Sequence, residues 1–238
     1  VPFRSFILYF FDNRKIKVYI CFVKKFIKMS GFISSSLGRK VVMALSGFFL
    51  IVFLLVHLGV NLTLFAGREI FNEASHFMGH NPLIQVMQYV LASGFIIHII
   101  MGIRLEWLNR LSRPIKYVKN NPGASAGWAS RNMIVTGVLI LLFLILHMKD
   151  FFVKIKFGEV PDDYDLVTQL FKNPLYMLIY VISFILLGIH LSHGFQSAFT
   201  TMGARTPKYL SCVKKTGVLF SYLIALGFSI IAVYFYFN

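Results

Sequence analysis

Five stretches of this chain, residues 41–66, 83–103, 132–148, 173–204 and 216–238, contain no Asp, Glu, Lys or Arg. At ~1.5 Å of rise per residue, each is long enough to cross a ~30 Å hydrocarbon layer as a helix. Lipid offers no partner to a free backbone N–H or C=O, so runs of this length close their own hydrogen bonds as helices. Five of them cannot pack as a two-layer soluble domain. The expected fold class is all-α and integral to the membrane: a five-transmembrane-helix bundle with helices at about 41–66, 83–108, 132–153, 173–204 and 216–238, in one domain spanning 29–238. The 57% apolar content exceeds what one soluble core needs.

The net charge of +15 does not point to nucleic acid, because the cations lie between the apolar stretches, where they set orientation. Assigning the N-terminus and alternate connections to one side gathers nineteen of the twenty-four cations there, including Arg39, Lys40, Arg104, Arg110, Arg131, Arg205, Lys214 and Lys215. Seven of the nine acids fall on the other side. This predicts a multi-pass protein with the N-terminus cytoplasmic and the C-terminus external, with membrane lipid as its surroundings. Cys21 and Cys212 match no C-x-x-C pattern, so neither a disulfide nor a thiolate metal site is expected. Residues 1–28 mix cations with aromatics and lack a small-residue cleavage site. They read as an interfacial basic arm or as an extension upstream of a start at Met29, the latter being preferred.

Of seven histidines, His76 and His80 fall in the loop "HFMGHNP", and His57, His98, His147, His190 and His193 lie inside the spans. A single intramembrane histidine is as readily a hydrogen-bonding partner of a neighbouring helix as a ligand. Depth adds information. His57 lies ~21 Å and His147 ~22 Å from the cytoplasmic starts of the first and third spans. The second and fourth spans run the other way, and His98 and His190 lie ~21–26 Å from their external starts. Two level pairs result: His57 with His147 near the outer third, His98 with His190 near the inner third. Facing neutral imidazoles at one depth are what a six-coordinate haem iron needs, so two stacked b haems enclosed by the bundle are expected.

A repeated spacing accompanies the pairs. Ser46-Gly47 precedes His57, and Thr136-Gly137 precedes His147, each glycine ten residues before its histidine. That is ~15 Å along the helix, the level of the other pair. A glycine there lets the helix approach a macrocycle face, although small residues also serve ordinary helix packing. His193 shares a face with His190 but lies too near the cytoplasmic interface to meet His98. Met101 and Met148 are read as core filler.

With these residues placed, the sequence resembles the five-helix dihaem cytochrome b anchor subunit of succinate dehydrogenase or fumarate reductase (respiratory complex II). The resemblance runs from about Met29 to the end and rests on "SSLGRKVVMALSGFFLIVFLLVHLGVNL", "FNEASHFMGHNPLIQVMQYVL", "IIHIIMGIRL", "WASRNMIVTGVLILLFLILH" and "IHLSHGFQSAFTTMG". It implies His57 and His147 as iron ligands of the outer haem and His98 and His190 as those of the inner haem, the pairing that depth gives independently. His190, Ser192 and Gly194 match the family's fourth-ligand pattern. Where related dihaem fumarate reductases carry a proton-transferring glutamate two residues earlier, this chain has Gly188.

The resemblance further implies a bacterial cytoplasmic (inner) membrane as the location, a flavoprotein subunit and an iron–sulfur subunit docked on the basic cytoplasmic face, a membrane quinone of the menaquinone type as substrate, and a possible homodimer of the whole complex. This chain has neither a G-x-G-x-x-G turn nor a cysteine cluster, so oxidation of succinate belongs to those partners. Haem propionates need cationic or hydroxyl partners, for which Arg131, Arg39, Lys40, Ser130 and Arg205 are candidates, Arg131 foremost; topology-setting contact with headgroups is the plainer role for any one. Trp128 is read as an interface residue. Quinone-site candidates are Glu73 and His76 outside, Ser192 and His193 inside. Two alternatives are a haem b subunit of another quinone-linked dehydrogenase, and a proton transporter with a histidine relay. Against the transporter, none of the five uncharged stretches holds a carboxylate.

Overall fold

The structure is a computed structural model and describes residues 31, 35–112, 132–158, 162–204 and 206–238. Two compact units are distinguished, Val1–Val42 and Met43–Asn238. In the first, the described residues 35–42 open a helix whose Gly38 amide donates to Ser35 Oγ at 2.9 Å, an N-terminal side-chain cap.

Among the described residues the helices are α1 (Ser36–Leu62), α2 (Arg68–His80), α3 (Pro82–Leu111), α4 (Met133–His147), α5 (Asp163–Lys172), α6 (Pro174–Thr201) and α7 (Pro207–Phe237). A 3-10 turn, Thr63–Ala66, extends α1; a π-helical segment, Met148–Val153, and a last α-turn, Lys154–Phe157, extend α4. No strand occurs among the described residues. Among the described residues five segments are long and apolar enough to cross a membrane: Ser36–Ala66, Pro82–Leu111, Met133–Phe157, Pro174–Thr201 and Tyr209–Phe237.

The helices overrun the uncharged stretches. The first begins at Ser36 rather than 41, the third continues to Phe157 rather than 153, and α7 begins at Pro207 rather than 216. A cation stops an apolar run but not the i→i−4 ladder, and long basic side chains reach the headgroup layer from a continuing helix.

Two spans start with the same device. Asn81-Pro82-Leu83 and Asn173-Pro174-Leu175 each put an asparagine at the N-cap, where its side-chain oxygen accepts from the next leucine amide, at 3.0 and 2.9 Å. Proline follows at the first helical position, where no N–H is required.

The segment read as a loop around "HFMGHNP" is instead helical through His80, as the end of α2. Gly67, with φ of 106°, turns the chain from the 3-10 segment into α2, in a region that side-chain-bearing residues avoid. α2 and α5 pack together through polar contacts. Arg68 pairs with Asp162 and makes a bidentate contact with Asp165 at 2.6 and 2.7 Å. The Tyr164 amide donates to Asn72 Oδ1 at 2.9 Å, and Ser75 Oγ donates to Asp163.

The core lies along α6 and α7, with Tyr180, Phe184, Ile224, Phe228 and Ala232 buried. Their backbones approach closely: a Cβ on Gly188 would lie 3.0 Å from the Ala225 Cβ, and one on Gly217 would lie 2.8 Å from the Phe195 ring. Small residues at such crossings are how membrane helices gain dispersion contacts without a hydrophobic driving force. In α3, by contrast, Met101 alone is buried.

Candidate functional site

Each of four spans contributes one imidazole to a cross-helix pair. The rings of His57 (α1) and His147 (α4) stand 5.8 Å apart between centroids, at 89°. Those of His98 (α3) and His190 (α6) stand 6.4 Å apart, at 68°. With metal–nitrogen bonds of ~2 Å on both sides, two imidazoles on one iron stand about 6 Å apart between centroids. Both separations fit an iron between the rings.

A second observation bears on that fit. His147 Nδ1 is buried with no hydrogen-bond partner. Buried polar atoms are rarely left so in a finished structure, and a ligated imidazole is one way to complete such a site. The described residues contain no cluster of three or more His, Cys, Asp or Glu, so a zinc-type ligand set is not built among them.

The first pair is walled by aromatics. Phe53 stacks on His57 at 5.2 Å and Phe228 lies 5.6 Å from it. Phe143, Phe151 and Tyr180 lie 5.7, 5.2 and 6.1 Å from His147. Beyond this wall is a residue that the uncharged-stretch criterion passed over. Asp150, 2% exposed, accepts the Tyr180 hydroxyl at 3.0 Å. It lies in the π-helical segment that begins directly after His147, and the extra residue in a π-turn changes which side chains face inward. The third span thus does contain a buried carboxylate. Its sequence signal was a single acid three residues beyond His147.

At the second pair, α1 and α4 present their Ser-Gly and Thr-Gly steps. A Cβ on Gly47 would lie 3.8 Å from His98 Cε1, and one on Gly137 would lie 3.4 Å from His190 Cε1. The hydroxyls beside them touch the same rings: Ser46 Oγ lies 3.2 Å from His98 Nδ1, and Thr136 Oγ1 lies 3.1 Å from His190 Nδ1. The spacing that marked the glycines also marked these hydroxyls, whose contacts were not anticipated.

Glu73 and His76 are exposed on α2, and His76 stacks on His80 at 3.9 Å. Ser192 Oγ donates to the Ile189 carbonyl at 2.9 Å, and His193 is half-buried. Met101 is buried and Met148 exposed. Arg39 and Lys40 belong to the Val1–Val42 unit. Ser130, Arg131, Arg205, Trp128 and the extension 1–28 lie outside the described residues.

Outside the spans, hydrogen bonds from Arg68 to Asp165 and Asp162 hold its guanidinium above its usual range. Burial works to raise Asp162, but the Asp165 amide, Asn72 and Arg68 outweigh it and hold the carboxyl below its usual range.

Residues 109–233, just over half of the chain, match the family model described as Succinate dehydrogenase/Fumarate reductase transmembrane subunit. The matched stretch includes His147 and His190, one member of each pair. Over 157 residues the chain is 26% identical to the succinate dehydrogenase cytochrome b558 subunit of Bacillus subtilis (strain 168), covering 64% of this chain and 72% of that protein. No solved structure matches the chain.

Proposed function

The chain belongs to the succinate dehydrogenase/fumarate reductase transmembrane subunit family, and from that premise we propose that it carries electrons between an iron–sulfur partner and a membrane quinone through two b haems. The observation that carries this reading is the double imidazole pairing across four spans, at 5.8 and 6.4 Å. In it, His57 and His147 hold one iron and His98 and His190 the other.

A b haem bound at each pair supplies one-electron exchange between ferric and ferrous iron. The chain's own residues do the rest. The four imidazoles fix two levels about 15 Å apart along α1 and α4, so a haem held at each would divide the ~30 Å crossing into shorter transfers. Phe53, Phe143 and Phe228 crowd the first pair and exclude water from its rings. At the second level Gly47 and Gly137 present no side chain to the His98 and His190 rings, and the small hydroxyls of Ser46 and Thr136 reach them.

The flavoprotein and iron–sulfur subunits dock on the basic side, which is the cytoplasmic one, and the complex pairs succinate oxidation or fumarate reduction with menaquinone chemistry. Glu73 and His76 are proposed to receive quinol protons on the opposite side, with Ser192 and His193 as the alternative place.

One observation favours a second reading: the buried Asp150 is the kind of intramembrane carboxylate a histidine-relay transporter needs. A redox difference spectrum with haem extraction separates the two. About two b haems per chain, together with succinate-dependent quinone reduction by the assembled complex, supports the electron carrier. A colourless chain rejects it and leaves the relay.

A further inference from the structure

We infer that Ser46 and Thr136 are positioning residues for the second imidazole pair: their hydroxyl oxygens accept the Nδ1–H of His98 and His190, which commits Nε2 of both rings to iron. The inference rests on the proposed haem ligation and goes beyond it by naming the residues that choose the ligating atom.

A hydroxyl has one hydrogen and two lone pairs. Ser46 Oγ donates its hydrogen to the Met43 carbonyl at 2.9 Å, and Thr136 Oγ1 donates to the Met133 carbonyl at 3.0 Å, the usual back-bond of a mid-helix hydroxyl. With that hydrogen spent, each oxygen has only lone pairs to offer across the helix boundary. The facing Nδ1 atoms, at 3.2 and 3.1 Å, must then be the donors. A neutral imidazole with its proton on Nδ1 has its free lone pair on Nε2.

Burial makes the choice firm. Ser46 is 9% exposed and Thr136 2% exposed, so water competes poorly for either hydroxyl. The arrangement also repeats: each hydroxyl lies eleven residues before a histidine of the first pair, so each helix that supplies a ligand at one level orients a ligand at the other. The first pair lacks this device on one side, since His147 Nδ1 has no partner. An accepted Nδ1–H makes the opposite nitrogen a better donor to the metal and favours the ferric state.

The test uses the full chain in its complex. Ser46→Ala and Thr136→Val should retain the second-pair haem but raise its midpoint potential, changing the ferric-to-ferrous ratio at fixed poise about threefold, roughly half of the 59 mV that a tenfold change represents for one electron. The first-pair haem should not move. Ser46→Thr and Thr136→Ser, which keep the hydroxyl, should return the potential to wild type. An unshifted potential in Ser46→Ala and Thr136→Val, an equal shift at both haems, or hydroxyl-retaining variants that behave like the hydroxyl-free ones overturns the inference. Should the hydroxyl-free variants fail to assemble, electron–nuclear double resonance on wild type with histidine labelled at single ring nitrogens decides it. Iron coupling through Nε2 at the second pair supports the assignment, and coupling through Nδ1 refutes it. A wild-type chain without haem rejects the proposed ligation itself, a result distinct from all of these.

Discussion

Tyr180 donates its phenolic hydrogen to Asp150 across 3.0 Å, and the two side chains are 1% and 2% exposed. Removing one partner strands the other in a place that water does not reach. Asp150→Ala or Tyr180→Phe should therefore each destabilise the detergent-solubilised protein by about 1–3 kcal/mol. The double change Asp150→Leu with Tyr180→Phe should lose less than the two singles together, because it leaves no orphan. Thermal melting of the four proteins checks this, and additive losses would count against a coupled pair.

Gly188 sits where α6 meets α7, and its missing side chain is replaced by Ala225 from the other helix. Since an added Cβ would lie 3.0 Å from the Ala225 Cβ and 3.4 Å from the Ser221 carbonyl oxygen, Gly188→Ala should lose about 1–3 kcal/mol, in the range of overpacked cores. Gly188→Glu should fail to accumulate in membranes. Gly59→Ala, with nothing within 4 Å, is the control and should be close to neutral. Equal melting temperatures for Gly188→Ala and Gly59→Ala would mean that α6 and α7 do not pack this closely.

The spans were legible because apolar runs longer than a bilayer core admit one backbone solution, and the levels of the four histidines followed from rise per residue. What escaped the sequence has a common cause. α2 and α5 balance charged and apolar residues, so a search for long uncharged runs passes over them although each is amphipathic at the helical period, and contacts such as Arg68 with Asp165 join the two. Asp150 was hidden because a run ends at its first charge, here Lys149, whereas the helix changes pitch and continues. Ser46 and Thr136 directly precede Gly47 and Gly137, whose spacing to His57 and His147 is visible in the sequence. Which atom of a hydroxyl faces a histidine depends on a side-chain rotamer and a back-bond that no spacing encodes.

The ion cluster at Arg68 has a definite pH signature. Asp162 titrates below its ordinary value of 3.8, so its contribution is present above that value and is lost as pH falls through the lower folded one. Protection of residues 68–80 and 163–172 against amide exchange, corrected for intrinsic rates, should hold from neutral pH to about 4 and fall below it. Asp162→Asn should show reduced protection already at neutral pH. High salt should weaken protection in the same segments, because Arg68 and Asp165 are exposed enough to be screened. Protection that is insensitive to both pH and salt would show that the apolar contacts of Phe71 and Tyr164 hold α2 and α5 together alone.

The pairing itself makes the sharpest demand on substitution. His57→Ala and His147→Ala each remove a ring from the first pair and should release the same haem, leaving the second at least partly assembled. His98→Ala and His190→Ala should do the converse, so haem content falls by about half in all four proteins while the surviving redox transition differs between the two sets. His193→Ala should keep both haems, because its ring belongs to neither pair. Reductive titration followed at the haem absorption band identifies which transition remains. Loss of a common haem from His57→Ala and His98→Ala would require the rings to pair across levels, which their positions on α1 and α3 do not permit without unwinding a span. Loss of a haem from His193→Ala would move the α6 ligand by three residues and withdraw the role assigned to Thr136.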